Sequence, residues 1–152
     1  MIAVIQRVNS ASLYSDGNFT CKIEKGLYIL LGVAKGDDES DALALAEKIS
    51  KLRIFTDEND RMNLSVNDVS GEVMAVSNFT LNANYAHGNR PDYFSSEEPT
   101  RASLLFDYFV SKMGERVKYC CAGIFGSDMR TEMSTDGPVT IVMDSKILLK
   151  KG

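Results

Sequence analysis

Residues 77–81 read Ser-Asn-Phe-Thr-Leu and carry side chains suited to acyl-group chemistry. The hydroxyls of Ser77 and Thr80 and the amide of Asn78 follow an apolar segment, at a point where the chain should turn. Such a turn also presents backbone N–H groups, which are the usual donors to an oxyanion. No general base lies nearby in the sequence to activate Thr80 as a nucleophile. A purely structural interpretation therefore stays open, since Ser and Thr at strand ends often hydrogen-bond to loop backbone.

The sequence offers little else for a catalytic triad or a metal site. His87 is the only histidine, and it lies in a polar loop where a solvent-exposed imidazole is the usual state. Cys120 and Cys121 are adjacent, which makes them a poor disulfide pair, and Cys21 is the only other cysteine. We expect structural thiols here and no cysteine nucleophile. With one histidine and no Cys-x-x-Cys pair, we also expect no zinc site.

The composition is typical of a soluble globular protein, and the length predicts a single domain covering residues 1–152. The chain is 44% hydrophobic and 25% charged, with a formal net charge of −4. A net negative charge argues against indiscriminate nucleic-acid binding, which depends on neutralising many phosphates, but it leaves room for a local basic face. The longest apolar run, residues 27–34, is much shorter than the ~20 residues that span a bilayer. The N-terminus lacks the layout of a secretory signal, so we expect a cytoplasmic protein without a membrane partner.

Hydrophobic periodicity predicts two main helices. The first begins at Asp37 or Asp38 and has apolar residues at helical spacing over positions 42–52. The second begins at Pro99, a residue favoured in the first turn of a helix, and has apolar positions within 105–113.

The remaining apolar segments are predicted to be strands. Asp16-Gly17 is typical of a hairpin turn, and residues 135–138 are predicted to form a turn between the last two strands. Two helices among many strands indicate an α+β domain with a largely antiparallel, barrel-like sheet. The predicted strands cover residues 2–8, 19–23, 27–33, 53–55, 72–77, 117–121, 129–134 and 139–143.

Six segments in order resemble the D-aminoacyl-tRNA deacylase family, and together they run along nearly the whole chain. Each tetrapeptide alone is weak, but six ordered matches are specific. They are the Gln-Arg-Val start at 6–8, the glycine-bounded strand at 26–34, the Leu-Arg-Ile-Phe segment at 52–55, residues 77–81, the Gly-Asn-Arg-Pro loop at 88–91, and the ending formed by 125–129 with Asp-Gly-Pro-Val-Thr at 136–140.

The resemblance implies hydrolysis of the ester that joins a D-amino acid to the terminal adenosine ribose of tRNA. The family is thought to use the RNA 2′-hydroxyl in place of a protein base, which would explain why no triad is found. The same dependence would confine activity to RNA, since DNA lacks that hydroxyl. The implied partner is the 3′ acceptor end of aminoacyl-tRNA, and no DNA partner is expected. The resemblance implies no metal and no organic cofactor.

The resemblance also implies a homodimer whose pocket lies at the subunit interface. Gly137-Pro138 would form a cis peptide inserted from the neighbouring subunit, and its carbonyl oxygens would leave no room for an L side chain. Arg7 and Met129 would brace this turn. Several D-amino acids, and glycine mischarged on tRNA(Ala), would then be accepted. The residues implied to line the pocket and hold the scissile carbonyl are Ser77, Asn78, Phe79 and Thr80.

Three positions depart from the family pattern. Asn78 replaces the usual glutamine, Thr135 an asparagine and His87 a lysine. If the amide of residue 78 donates to the oxyanion, loss of that donor would cost roughly 2.7–4 kcal/mol of transition-state stabilisation. Three other functions stay open: an editing deacylase for a misattached L-amino acid, a non-catalytic binder of tRNA ends, and a purely structural role.

Overall fold

A computed structural model describes residues 1–150. Both main helices are present at the predicted places, and a short third helix follows the last strand. The helices are α1 (Glu39–Ser50), α2 (Pro99–Gly114) and α3 (Ser145–Leu149), and a 3-10 turn covers Phe79–Asn82. The strands are β1 (Ile2–Ser15), β2 (Asn18–Ile23), β3 (Gly26–Gly32), β4 (Phe55–Thr56), β5 (Met62–Leu64), β6 (Glu72–Ser77), β7 (Cys120–Ala122) and β8 (Met129–Asp144).

The main sheet has the order β2-β1-β3-β6-β7, and β8 pairs with the free edge of β1. The first half of β1 pairs with β3 and its second half with β2, both antiparallel. The predicted sheet is wrong in one respect, because β6 runs parallel to both β3 and β7. Crossovers through α1 and α2 bring the chain back in the same direction, as parallel pairing requires. The end strands β2 and β7 pack against each other, so this mixed sheet is nearly closed and barrel-like.

The main core lies between one face of the sheet and the helices α1 and α2. In β3, Leu27, Ile29 and Leu31 point to this core, whereas Tyr28 and Leu30 point to the opposite face. This alternation follows from the two-residue period of a strand. The helices therefore cover one face of the sheet, and the other face carries a smaller apolar cluster.

The helix starts explain how the chain leaves the sheet. Asp38, one of the two predicted caps, is the N-cap of α1, and it forms a capping box with Asp41. Asp37 instead is buried and accepts a hydrogen bond from the Ala34 N–H at 2.7 Å. Pro99 is the first residue of α2, as predicted, and Glu98 caps it.

Several element boundaries differ from the prediction. The segment 53–55 contributes only its last residue to a strand, and the strand predicted at 117–121 begins at Cys120. The elements β5 and α3 were not predicted because three and five residues are too short to show a period. The Asp16-Gly17 hairpin is confirmed: both residues have positive φ, 49° and 80°. No helix within residues 1–150 has the length and apolar character needed to cross a membrane.

Candidate active site

A cavity of about 660 Å³ opens beside the end of β6 and the start of α2. This volume falls in the usual range for small-molecule sites. Three predicted site residues from the 77–80 segment, Ser77, Asn78 and Phe79, lie on its wall, and Thr80 does not. The other wall residues are Leu31, Val33, Lys35, Tyr93, Phe94, Ser96, Glu97, Glu98, Pro99, Ala102, Phe125, Gly126, Ser127 and Met129.

Asn78 organises the turn that follows β6. Its side-chain Oδ1 accepts a hydrogen bond from the Thr80 N–H at 3.2 Å and a second, short one from the Thr80 hydroxyl. Its backbone N–H donates to the Leu31 carbonyl at 2.8 Å, which ties the turn to β3. The amide oxygen therefore acts as the N-cap of the 3-10 turn, and the Thr80 hydroxyl is held by this cap.

Phe79 supplies the one backbone donor that this turn leaves unused. It is the first residue of the 3-10 turn, where a backbone N–H has no acceptor within the turn. Over the described part of the chain, the Phe79 N–H has no hydrogen-bond partner, and neither has the Ser77 hydroxyl. Both residues lie on the cavity wall. A carbonyl group bound in the cavity could thus meet two donors of the kind that stabilise an oxyanion.

The mouth of the cavity is aromatic. The rings of Phe79 and Tyr93 meet edge to face, with centroids 5.0 Å apart. Phe94 also lines the cavity, with 80% of its surface exposed. Sequence reasoning missed Tyr93 and Phe94; the available signal was two adjacent aromatic residues in an otherwise polar loop.

The second group of predicted residues lies in an irregular part of β8. Gln6 pairs with Thr140 and Val8 with Thr135, so a single residue of β1, Arg7, stands opposite residues 136–139. The predicted turn at 135–138 is therefore wrong: this segment is a bulge within one continuous strand. The bulge contains the cis peptide bond Gly137-Pro138, and Gly137 has a φ of 139°.

Arg7 anchors this bulge from β1. Only 8% of Arg7 is exposed, and its Nε donates to the Asp136 carbonyl at 3.3 Å and pairs with the Asp136 carboxylate at 3.0 Å. Its Nη1 donates to the Ile54 carbonyl at 2.8 Å and reaches the Thr56 hydroxyl at 3.4 Å. The guanidinium thus joins the bulge to the segment around β4.

Met129 lies far from the bulge in the same chain. It pairs with Ser15 at the other end of β8, and Thr135 lies six positions further along the strand, which corresponds to about 20 Å. It lines the cavity instead, close to Gly123. One chain therefore brings Ser77, Asn78, Phe79 and Met129 together at the cavity, whereas Arg7, Gly137 and Pro138 meet at the bulge.

The residues considered for other chemistry lie elsewhere. His87 is exposed in the loop that precedes Pro91, and none of the three cysteines lines the cavity. Burial raises the pKa of the Cys120 thiol to about 12, so this thiol is protonated at neutral pH. Within residues 1–150, no group of three or more His, Cys, Asp or Glu side chains is placed to hold a metal ion.

Comparison with known proteins gives a consistent result over the whole length of the chain. The family model described as D-Tyr-tRNA(Tyr) deacylase matches residues 4–144. A D-aminoacyl-tRNA deacylase of Koribacter versatilis is 49% identical over 146 residues, which cover 96% of this chain and 98% of the relative. One from Persephonella marina is 48% identical over 148 residues, covering 97% of this chain and all of the relative.

Two solved structures share the fold. One, described as the c-Myc DNA unwinding element binding protein, superposes with a TM-score of 0.88 at 33% identity and covers 95% of this chain and 98% of its own. Another, described as a probable eukaryotic D-amino acid tRNA deacylase, has a TM-score of 0.77 at 13% identity, with 94% of this chain and 98% of its own covered. The match of the family model from β1 to the end of β8, together with near-50% identity to full-length relatives, means that this chain belongs to the D-Tyr-tRNA(Tyr) deacylase family.

Proposed function

We propose that the protein hydrolyses the ester bond of D-aminoacyl-tRNA and releases a free D-amino acid and tRNA. The observation that carries this proposal is the family match over residues 4–144. The curated relatives named above carry the same activity in their names. In the cell such an activity would remove D-amino acids before they reach the ribosome, which suits a cytoplasmic protein.

The scissile ester would bind in the cavity with its carbonyl oxygen at the Phe79 N–H and the Ser77 hydroxyl. Neither donor has a hydrogen-bond partner within residues 1–150 and both residues lie on the cavity wall, so they would stabilise the negative charge that develops when water attacks. The ribose 3′ oxygen then leaves and takes up a proton, so the second product is tRNA with a free 3′ hydroxyl.

We assign the proton transfer to the neighbouring 2′-hydroxyl of the RNA. The two acidic side chains on the cavity wall are engaged in other contacts. Glu98 accepts hydrogen bonds from the first N–H groups of α2, and Glu97 pairs with Arg101 at 3.3 Å. Since neither carboxylate is free to act as a base, help from the substrate fits this cavity better than a protein base.

The complete site would be shared between two copies of the chain. Gly137 and Pro138 are exposed and far from the cavity of their own subunit, so a partner is needed to bring them to it. The sheet face that the helices leave uncovered supplies a surface for this partner. Val142, 70% exposed, pairs with Val4, which pairs with Leu30, so an apolar row runs across that face. An exposed apolar strand row of this kind is typical of a subunit interface.

In this arrangement the Gly137-Pro138 carbonyl groups would exclude L substrates by occupying the space of their side chain. Rejection of this kind needs no contact with the side chain of the D substrate. We therefore expect several D-amino acids to be accepted, and glycine as well, including glycine mischarged on tRNA(Ala).

The dependence on RNA is tested with D-tyrosyl-tRNA whose terminal adenosine has either a normal ribose or a 2′-deoxyribose. We expect rapid release of D-tyrosine from the first ester and a loss of at least a hundredfold with the second. Equal rates on both would contradict catalysis by the RNA hydroxyl. Binding of the intact ester without release from either would favour the non-catalytic binder of tRNA ends.

A further inference from the structure

The three cysteines of the chain lie where the barrel-like sheet nearly closes. Cys21 is in β2, and Cys120 and Cys121 begin β7. These are the two end strands of the order β2-β1-β3-β6-β7, and they pack against each other. Within residues 1–150 no β-ladder joins them, so we call their line of contact the seam.

The strand geometry separates the two adjacent cysteines. Successive residues of a strand point to opposite faces, so Cys120 packs against the main core under the helices. Cys121 points to the opposite face and joins the smaller apolar cluster, which also contains Cys21. Both cysteines therefore lie on the same side of the seam, and the Cys21 sulfur lies 3.9 Å from the carbonyl oxygen of Ala122, the residue next to Cys121 in β7.

Their proximity makes the two thiols chemically unequal. The neighbouring Cys121 thiol lowers the pKa of Cys21, whereas Cys21 raises the pKa of Cys121. Burial raises the pKa of Cys120, as described above. Cys21 is therefore the best nucleophile of the three, because the thiolate is the reactive form. Both seam thiols are partly exposed in the single chain, so a small reagent can reach them there.

We propose that Cys21 and Cys121 are a redox modification site and form an intrachain disulfide across the seam on reaction with a small disulfide such as oxidised glutathione. The Cys21 thiolate attacks one sulfur of the reagent, which gives a mixed disulfide and releases one glutathione. Cys121 then attacks the Cys21 sulfur and displaces the second glutathione, which takes up the proton of Cys121. The protein loses two hydrogens, and the reagent is reduced to two thiols.

The bond would join two strands that are 100 positions apart in the sequence. A cross-link over so long a loop restricts the unfolded chain, so the oxidised protein should melt several degrees higher than the reduced protein. It would also fix the end of β7 just before residues 125–127, which line the cavity. The inference does not depend on the proposed deacylase activity.

The test is oxidation of the folded, full-length protein with oxidised glutathione, followed by mass spectrometry of the intact chain and of its peptides. We expect a product two hydrogens lighter than the reduced chain, with a peptide cross-link between Cys21 and Cys121. The matched control Cys120→Ser should give the same product. Cys21→Ser and Cys121→Ser should each abolish the loss of two hydrogens.

Three results would overturn the proposal: a cross-link that contains Cys120, disulfide-linked dimers in place of the internal bond, or no loss of two hydrogens by the wild-type chain. The peptide map of the wild-type chain decides between them even if a serine variant does not fold.

Discussion

At the residue scale, Asn78 caps the 3-10 turn beside the cavity. From the sequence, its amide could either donate to a reacting carbonyl or stiffen the turn. In the structure the amide oxygen accepts hydrogen bonds from Thr80, which makes Asn78 a cap for the 3-10 turn. The cap occupies the Thr80 N–H and leaves the Phe79 N–H as the unpartnered backbone donor of this turn, which no sequence pattern could have shown. The Asn78 amide nitrogen stays available as a donor as well.

Thr80→Ala tests whether the hydroxyl of residue 80 is a nucleophile. This hydroxyl is bonded to Asn78, and Thr80 does not line the cavity, so we expect the variant to keep its rate of D-tyrosyl-tRNA hydrolysis within about tenfold of the wild type, equivalent to ~1.4 kcal/mol in barrier. Single-turnover kinetics measure this rate, and circular dichroism checks the fold. Complete loss of activity in a folded variant would instead identify Thr80 as the nucleophile.

Gly137→Ala tests the role of the bulge. A Cβ at this position would lie 2.4 Å from the Val139 backbone nitrogen, and the φ of 139° strains any L side chain. The carbonyl groups of the bulge must therefore shift, and we expect D-tyrosyl-tRNA hydrolysis to fall at least tenfold. Gly17→Ala is the control, since its φ is also positive but nothing lies within 4 Å of its Cβ. If both variants kept wild-type rates, the bulge would have no part in the site.

At the element scale, the sequence was most informative where a period could develop. Both main helices and the long strands have enough residues to show their spacing, and their caps are local signals. The bulge in β8 is different. Residues 136–139 resemble a turn in isolation, and only the pairing of the flanking residues Thr135 and Thr140 with β1 shows that the strand continues.

Arg7→Lys tests how firmly β1 holds the bulge. A lysine has a single nitrogen and cannot replace the two guanidinium nitrogens that donate to the carbonyl groups of Asp136 and Ile54. Hydrogen bonds from charged donors contribute about 1.5–3 kcal/mol each to stability. We expect the free energy of unfolding in urea to fall by about 2 kcal/mol, together with activity. Arg61→Lys, at an exposed position, should change stability by less than about 0.5 kcal/mol. If Arg7→Lys left both the free energy of unfolding and the activity unchanged, the bulge would hold its shape without the guanidinium.

At the scale of the whole molecule, six ordered segments were enough to identify the family, but they could not show how the site is divided. Short motifs report which residues matter without reporting the distance between them. The structure separates Met129 from Gly137 along one strand, although both belong to the predicted site. The parallel pairing of β6 likewise depends on crossovers that local patterns do not specify.

Val142→Glu tests the shared site. A charge at this exposed position would be buried in the proposed interface, so we expect sedimentation velocity to show at least tenfold weaker dimerisation and a parallel loss of hydrolysis. Leu104→Glu, equally apolar and exposed on α2, should leave the dimer intact. A wild-type protein that sediments as a fully active monomer would refute the shared site.

The most direct test of the central claim is the rate of amino-acid release from D-tyrosyl-tRNA and L-tyrosyl-tRNA, measured side by side under single-turnover conditions. We predict that the D ester is hydrolysed at least a hundredfold faster than the L ester, a difference of about 2.7 kcal/mol in barrier. Hydrolysis of the L ester at an equal or higher rate would contradict the account and favour an editing deacylase for L-amino acids.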